Sequence, residues 1–315
     1  MGDIIYQKLK RTTIVTALLF MATITANAQF IFRISGGRLE KPSYMLGSLH
    51  VLTGDLLDSI PAFLEAENQC RQLYVETDVT DSQQKQARAE QGQQLVTLPD
   101  GKTIADVLGE ERMKMLRERM KETCHIDLDD PTSDGFMHSQ PYFFYLSINV
   151  IMQMEALRNY PAMRKGQTMD GACIERAKTR GWVVGNLDLQ LNAEELAKNK
   201  ETLNQSIDAQ VDTLMAFLNN FDERKQKLLK ELDEAQTMCD YWTSGDYEGF
   251  ERFIMPMSDA FPTLLEDRNK KWLPIIIDAM KEMPTLFVFG AGHLTGPKGV
   301  VNLLREAGFV VEPVK

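Results

Sequence analysis

Apolar and polar positions alternate over Phe30-Ile31-Phe32-Arg33-Ile34, break at Gly36-Gly37 and resume as an apolar run from Tyr44 to Val51. That pattern predicts two strands joined by a glycine turn. Pro61 to Asn68 follows as a helix with proline in its first turn, and Leu73-Tyr74-Val75 is a short buried strand ending on Glu76-Thr77-Asp78. Residues 80–94 are Gln-rich and polar, a solvated helix or loop. From Asp100 the period changes: Ile104, Val107, Leu108, Met113, Leu116 and Met120 fall at three- and four-residue spacing, one face of a helix. Phe136 to Leu157 is strongly apolar and aromatic, but Ser147, Asn149 and Gln153 interrupt it, which predicts a buried helix rather than a membrane span. Asp170 to Lys178 reads as a short helix stopped by Gly181. The strand Trp182-Val183-Val184 comes next and runs out into Asn186 and Asp188. Residues 193–282 form a long helical tract with turns near Ser244-Gly245-Asp246 and Met255-Pro256. The chain closes with a strand at 286–290, a Gly-rich turn, a helix at 296–307 and the strand Phe309-Val310-Val311, in the manner of half a parallel βαβ crossover.

Strand-rich ends around a helical middle predict one α/β domain over residues 29–315. Its central, largely parallel sheet is built from both chain ends, and a helical cap is inserted at about 83–170 and 193–282. Residues 1–28 stand apart. Lys8, Lys10 and Arg11 precede the apolar stretch Ile14 to Ile24, and Ala26-Asn27-Ala28 supplies a small-x-small cleavage pattern. This predicts an exported protein, periplasmic or secreted, that begins at Gln29 and is not inserted in the membrane after cleavage, the alternative being a segment retained as an uncleaved anchor. Loss of three basic groups and Asp3 takes the net charge from −10 to −12. So acidic a chain, without a basic run, is a poor partner for nucleic acid. Cys70, Cys124, Cys173 and Cys239 are widely spaced with no C-x-x-C pair, so no zinc knuckle or redox motif is present; an oxidising compartment allows disulfides without implying them, and buried free thiols are the favoured reading.

Two of the four histidines share one setting, an apolar run followed by Gly-x-x-His: Gly47-Ser48-Leu49-His50 and Gly290-Ala291-Gly292-His293. A strand ending in a glycine turn places a side chain at the rim of an α/β sheet, where ligands bind. Four strand-like runs end in such groups: His50, Glu76 with Asp78, Asp188, and His293. If the strands are parallel neighbours, all of these face one crevice. Two imidazoles and one or two carboxylates suit a divalent transition metal such as zinc, manganese, cobalt or iron with open positions. A carboxylate nearby can then serve as general base. Arg268, in Glu266-Asp267-Arg268-Asn269, shares a helical face with Trp272 and is either a surface stack or a guanidinium aimed into the cleft. His125 and His138 lack the strand-end setting and read as structural.

Taken together, these residues resemble the TraB/GumN (PrgY, TIKI) family. The resemblance is carried by Tyr44 to His50, Val75-Glu76-Thr77-Asp78, Leu98 to Ile104, Met169-Asp170-Gly171, Asp267-Arg268-Asn269 with Trp272, and Gly290 to Leu294 with Gly296, Gly299 and Gly308. After the strand at 182–184 the family usually places Leu-Glu-Thr, where this chain has Leu187-Asp188-Leu189. The resemblance implies a fold like the erythromycin-esterase and ChaN-type proteins and a metal-dependent hydrolase, since TIKI members resemble Mn²⁺- or Co²⁺-dependent peptidases. The expected assignment follows. His50, His293 and Glu76 hold the metal (Mn, Co or Zn), Glu76, Asp78 and Arg268 act in catalysis, Asn269 and Asp188 meet substrate, and the substrate is a peptide or small molecule. The rivals are a metal-free esterase-like hydrolase with a histidine base, and a protein that binds a peptide or holds haem through the two histidines.

Overall fold

In the computed structural model of this chain, residues 30–78, 97–161, 163, 166–188, 205–260 and 262–314 are described. The segment 1–28 expected to direct export, the polar stretch at 80–94 and the start of the helical tract at 193 lie outside them. The chain folds as two compact units: residues 1–78, 164–188 and 236–315 form one, and 79–163 and 189–235 the other.

The first unit is α/β, built on a mixed six-stranded sheet. Its strands are β1 (Ile31–Gly36), β2 (Ser43–Ser48), β3 (Gln72–Val75), β4 (Val183–Asn186), β5 (Thr285–Gly290) and β6 (Phe309–Pro313), in the order β4-β3-β5-β2-β1-β6. The pairs β4–β3, β3–β5 and β5–β2 are parallel, whereas β2–β1 and β1–β6 are antiparallel. Burial follows pairing. All of β2 and nearly all of β5 are buried, as expected of central parallel strands covered on both faces, while β1 and β6 alternate between buried and exposed positions. The helices of this unit are α1 (Pro61–Gln69), α2 (Met169–Thr179), α3 (Tyr247–Ala260), α4 (Glu266–Glu282) and α5 (Val300–Glu306). Phe30 anchors the core against Trp242, Tyr247 and Phe250.

Two local expectations are corrected. The final strand–helix–strand unit does not form adjacent strands: β6 leaves β5 and pairs antiparallel with β1. Parallel β2 occupies one side of β5 and β3 the other, so β5 has no free edge to offer β6. The chain also does not turn at Met255-Pro256, because α3 continues through Pro256 to Ala260. Phe250 and Ile254 are buried along α3, while Pro256 and Arg252, whose carbonyl loses its intrahelical donor, are exposed, so water can satisfy that carbonyl.

The second unit is helical. Thr103 and Asp106 form a capping box at the start of the helix Ile104–Arg119. Leu108, Leu116, Phe144, Ile148, Leu214 and Phe217 belong to its own apolar cluster. His125 ends a π-turn there in the left-handed conformation, and His138 lies within hydrogen-bond distance of the Lys102 carbonyl, 3.2 Å away, so both sit in local structure. Cys70, Cys173 and Cys239 are buried free thiols and Cys124 is a half-buried one. Among the described residues no helix is long and apolar enough to cross a membrane.

Candidate functional site

Parallel pairing brings the strand ends level. Ser48 of β2 pairs with Gly290 of β5, and Val75 of β3 pairs with both Val288 and Asn186. His50, Glu76, Asp188 and His293 follow those ends within three residues, so they emerge at one edge of the sheet, where α/β proteins bind ligands. The two motif glycines provide clearance. A Cβ on Gly47 would lie 2.4 Å from Leu294 Cδ1 and 3.0 Å from Ala291 Cα, so only glycine lets the first turn pack against the second. A Cβ on Gly290 would sit 3.2 Å from Glu76 Oε1 and 3.7 Å from both His293 Cδ2 and His50 Nε2.

Both imidazoles converge on one carboxylate oxygen. His50 Nε2 is 3.9 Å and His293 Nε2 3.8 Å from Glu76 Oε1. The opposite ring nitrogens are tethered: His50 Nδ1 is 3.0 Å from Asp170 Oδ2, and His293 Nδ1 is 2.6 Å from Asn269 Oδ1. A carboxylate only accepts, so His50 carries hydrogen on Nδ1. Asn269 Nδ2 donates to the carbonyls of Lys298 (2.9 Å) and His293 (3.3 Å), which leaves its oxygen to accept from His293 Nδ1–H. His293 is 2% exposed, and its ring centroid lies 4.3 Å from that of Trp272. Burial pushes its pKa down to about 3, so the ring is neutral and its Nε2 lone pair faces Glu76. His50 differs: its side chain is 61% exposed, and the hydrogen bond to Asp170 raises its pKa to about 9 against a smaller opposing effect of burial.

Glu76 Oε1 accepts from the Gly290 N–H at 2.6 Å, and its Oε2 accepts from Arg268. Burial alone would raise this carboxyl, but the positive groups around it and the Gly290 N–H outweigh burial and hold it below the usual carboxylate range. Arg268 Nη2 also donates to Asp188 Oδ2, and its guanidinium lies 4.7 Å from the centre of the Trp272 ring. Trp272 Nε1–H donates to Asp188 Oδ1 at 2.6 Å. Asp188, Arg268, Trp272 and His293 therefore form one continuous hydrogen-bonded and stacked assembly beside Glu76.

The donor types suit a divalent ion: two Nε2 atoms, one a fixed lone pair and the other free once its proton is lost, face a carboxylate oxygen, with both Nδ1 atoms tied to side-chain oxygens. Ligand atoms around a tetrahedral ion with ~2.1 Å bonds stand about 3.4 Å apart. The observed 3.8 and 3.9 Å are slightly wider. Among the described residues no three His, Cys, Asp or Glu side chains are drawn into a closed metal cluster. Glu76 meanwhile has both oxygens engaged by Gly290 and Arg268.

Other expected residues are occupied differently. Asp78 accepts from Lys178 Nζ at 2.9 Å, and its N–H donates to Asn186 at 2.6 Å. Asn269 is 2% exposed, and its carboxamide bonds to His293 and Lys298. Asp188 is 7% exposed and holds Arg268 and Trp272. Asp170, Ser48 (whose hydroxyl donates to Asp170 Oδ1 at 2.8 Å) and the Gly290 N–H also join the site, although their motifs alone gave them no site role. The available signal for Asp170 was a carboxylate in the first turn of a helix capped by Thr168.

A sequence profile of the TraB/PrgY/gumN family matches residues 30–313. The metalloprotease TIKI2 of Xenopus tropicalis is 22% identical over 312 residues, which cover 87% of this chain and 58% of that protein. The metalloprotease TIKI homolog of Nematostella vectensis is 22% identical over 318 residues, covering 87% of this chain and 65% of its own length. The chain thus spans less than two-thirds of these relatives. No solved structure matches it.

Proposed function

From the premise that the chain belongs to the TraB/PrgY/gumN family, we propose that it is an exported, metal-dependent hydrolase of peptides. His50, His293 and Glu76 hold the ion. The observation that carries the reading is the convergence of two tethered imidazole Nε2 atoms on Glu76 Oε1. The two relatives, both named as metalloproteases, point the same way. The basic, apolar and Ala-x-Ala sequence of residues 1–28 supports export.

A divalent ion at this place supplies Lewis acidity toward a carbonyl and makes a water nucleophile accessible near neutral pH. The chain's own residues do the rest. Glu76, ionised and buried, takes the proton of the attacking water at Oε2, the oxygen that Arg268 releases, and passes it to the departing amine as the amide bond breaks. Arg268, released from Glu76 but still gripped by Asp188, presents its guanidinium to a developing oxyanion. Asn269 keeps the proton of His293 on Nδ1, so that Nε2 stays a ligand.

The test is metal content and turnover on a screened peptide with Mn²⁺, Co²⁺ and Zn²⁺ in turn. His50→Ala and His293→Ala should each lose stoichiometric metal while folding cooperatively. Glu76→Gln should cost at least ~100-fold in turnover, as loss of a proton-transfer group does. Asp188→Asn, which keeps an oxygen for Trp272, should cost less than ~10-fold. Full metal and activity in either histidine variant would sink the assignment. Hydrolysis that survives exhaustive chelation would favour the metal-free esterase, and a haem Soret band without hydrolysis in any metal would favour a binding protein.

A further inference from the structure

We infer that the first turn of α2 belongs to the site, with Asp170 as the positioning residue that fixes the ring of His50. This deepens the proposed function and rests on His50 being a metal ligand. The need for such a residue comes from an asymmetry between the two histidines. His293 is immobilised by packing, with its ring against Trp272 and Phe289 and 2% exposed. The His50 side chain is 61% exposed, so neighbours cover little of the ring and its free rotation must be stopped by a specific bond. Asp170 supplies that bond. One oxygen accepts His50 Nδ1–H at 3.0 Å, and the other accepts the Ser48 hydroxyl at 2.8 Å, so the carboxylate is itself held from the strand that leads to His50. The result is a His-carboxylate pair that presents Nε2 and no other atom to Glu76.

The loop carrying His50 and the start of α2 are also joined along the backbone. Gly54 N–H donates to the Gln167 carbonyl at 2.8 Å, and Thr53 bridges Thr168 in antiparallel fashion. Gly54 makes that approach possible, since a Cβ there would lie 2.3 Å from Ala172 Cβ and 3.2 Å from the Thr168 carbonyl. Farther along α2, Arg176 grips the buried Glu67 of α1 through Nε and Nη2, both at 2.7 Å, which fixes the helix against α1. Asp170 is thus delivered by a helix pinned at both ends.

Mn²⁺ alone, titrated calorimetrically into the full chain, tests this. Asp170→Ala should bind Mn²⁺ ~10- to 100-fold more weakly than the wild type. Asp170→Asn should recover part of the loss, because its amide oxygen can still accept Nδ1–H. Gly54→Ala, which touches neither histidine, should also weaken binding by shifting the start of α2. If Asp170→Ala fails to fold, the nearly isosteric Asp170→Asn and Ser48→Ala carry the comparison, and undiminished binding in both overturns the inference. Wild-type affinity in Asp170→Ala, alongside no binding in His50→Ala, overturns the inference and leaves the proposed function standing. No Mn²⁺ binding by the wild type, or equal binding by wild type and His50→Ala, overturns both.

Discussion

His50 and His293 carry the same motif yet end in opposite protonation states, because one is tethered to a carboxylate in the open and the other is buried beside a tryptophan. The consequence is a stability profile with two arms in the metal-free protein. His293 has a folded pKa near 3 against 6.5 for the free side chain, so the unfolded chain gains a proton first, and stability falls as pH drops from about 6.5 toward 3. His50 keeps its proton up to about 9, so the unfolded chain loses that proton first, and stability falls as pH rises from about 6.5 toward 9. Chelator-treated protein should therefore show these two contributions meeting near pH 6.5. His293→Gln should flatten the acid arm of a Tm-against-pH curve and His50→Gln the alkaline arm. The reverse pattern would mean that the two environments are assigned the wrong way round.

Among the elements, the motif glycines at the ends of β2 and β5 do different jobs despite their shared motif. Gly290 has φ −51° and ψ 134°, open to any residue, so alanine there acts through space alone. Its Cβ would point among Glu76 Oε1, His293 and His50 without striking backbone. Gly290→Ala should leave the sheet intact and weaken Mn²⁺ binding by roughly tenfold, within the range for perturbing the surroundings of ligands. Gly47→Ala instead collides with Leu294 and Ala291 and should cost about 1–3 kcal/mol of folding stability, the scale of overpacking. Denaturant melts and Mn²⁺ titrations on both variants separate the two effects. Equal loss of stability in both would deny Gly290 its place beside the ligands.

At the scale of the whole molecule, the chain comprises a sheet unit and a helical unit, each with its own apolar core. His50, Glu76, Asp170, Asp188, Arg268 and His293 all lie in the sheet unit. A bound ion therefore stabilises that unit by mass action, about 2.7 kcal/mol at a hundredfold excess over Kd. Scanning calorimetry should show a Tm shift with Mn²⁺ in the wild type and none in His50→Ala or His293→Ala. A shift that persists in those variants would place the binding elsewhere in the molecule.

The residue pattern by itself determined where the strands lie and which side chains stand at their ends. Short apolar runs closed by glycine or by a carboxylate are local signals, and all six strands fall within a few residues of their expected spans. That His50 and His293 would stand at one edge of the sheet was legible for the same reason, since a repeated Gly-x-x-His after an apolar run can be seen without knowing the fold. Only the tertiary structure decided strand order, which left β6 against β1 rather than β5, because non-local pairing depends on which edges are free. It alone also decided what each polar group bonds to. Asp170 reaches His50 across 120 residues and Arg268 reaches Glu76 across 192. Asn269 turns inward to His293 although its neighbour Arg268 faces the carboxylates. Hydrogen-bond partners so distant in sequence leave no periodic trace; they are chosen by the geometry of helices docking on the sheet, where a buried donor or acceptor must find whatever partner the fold brings within about 3 Å.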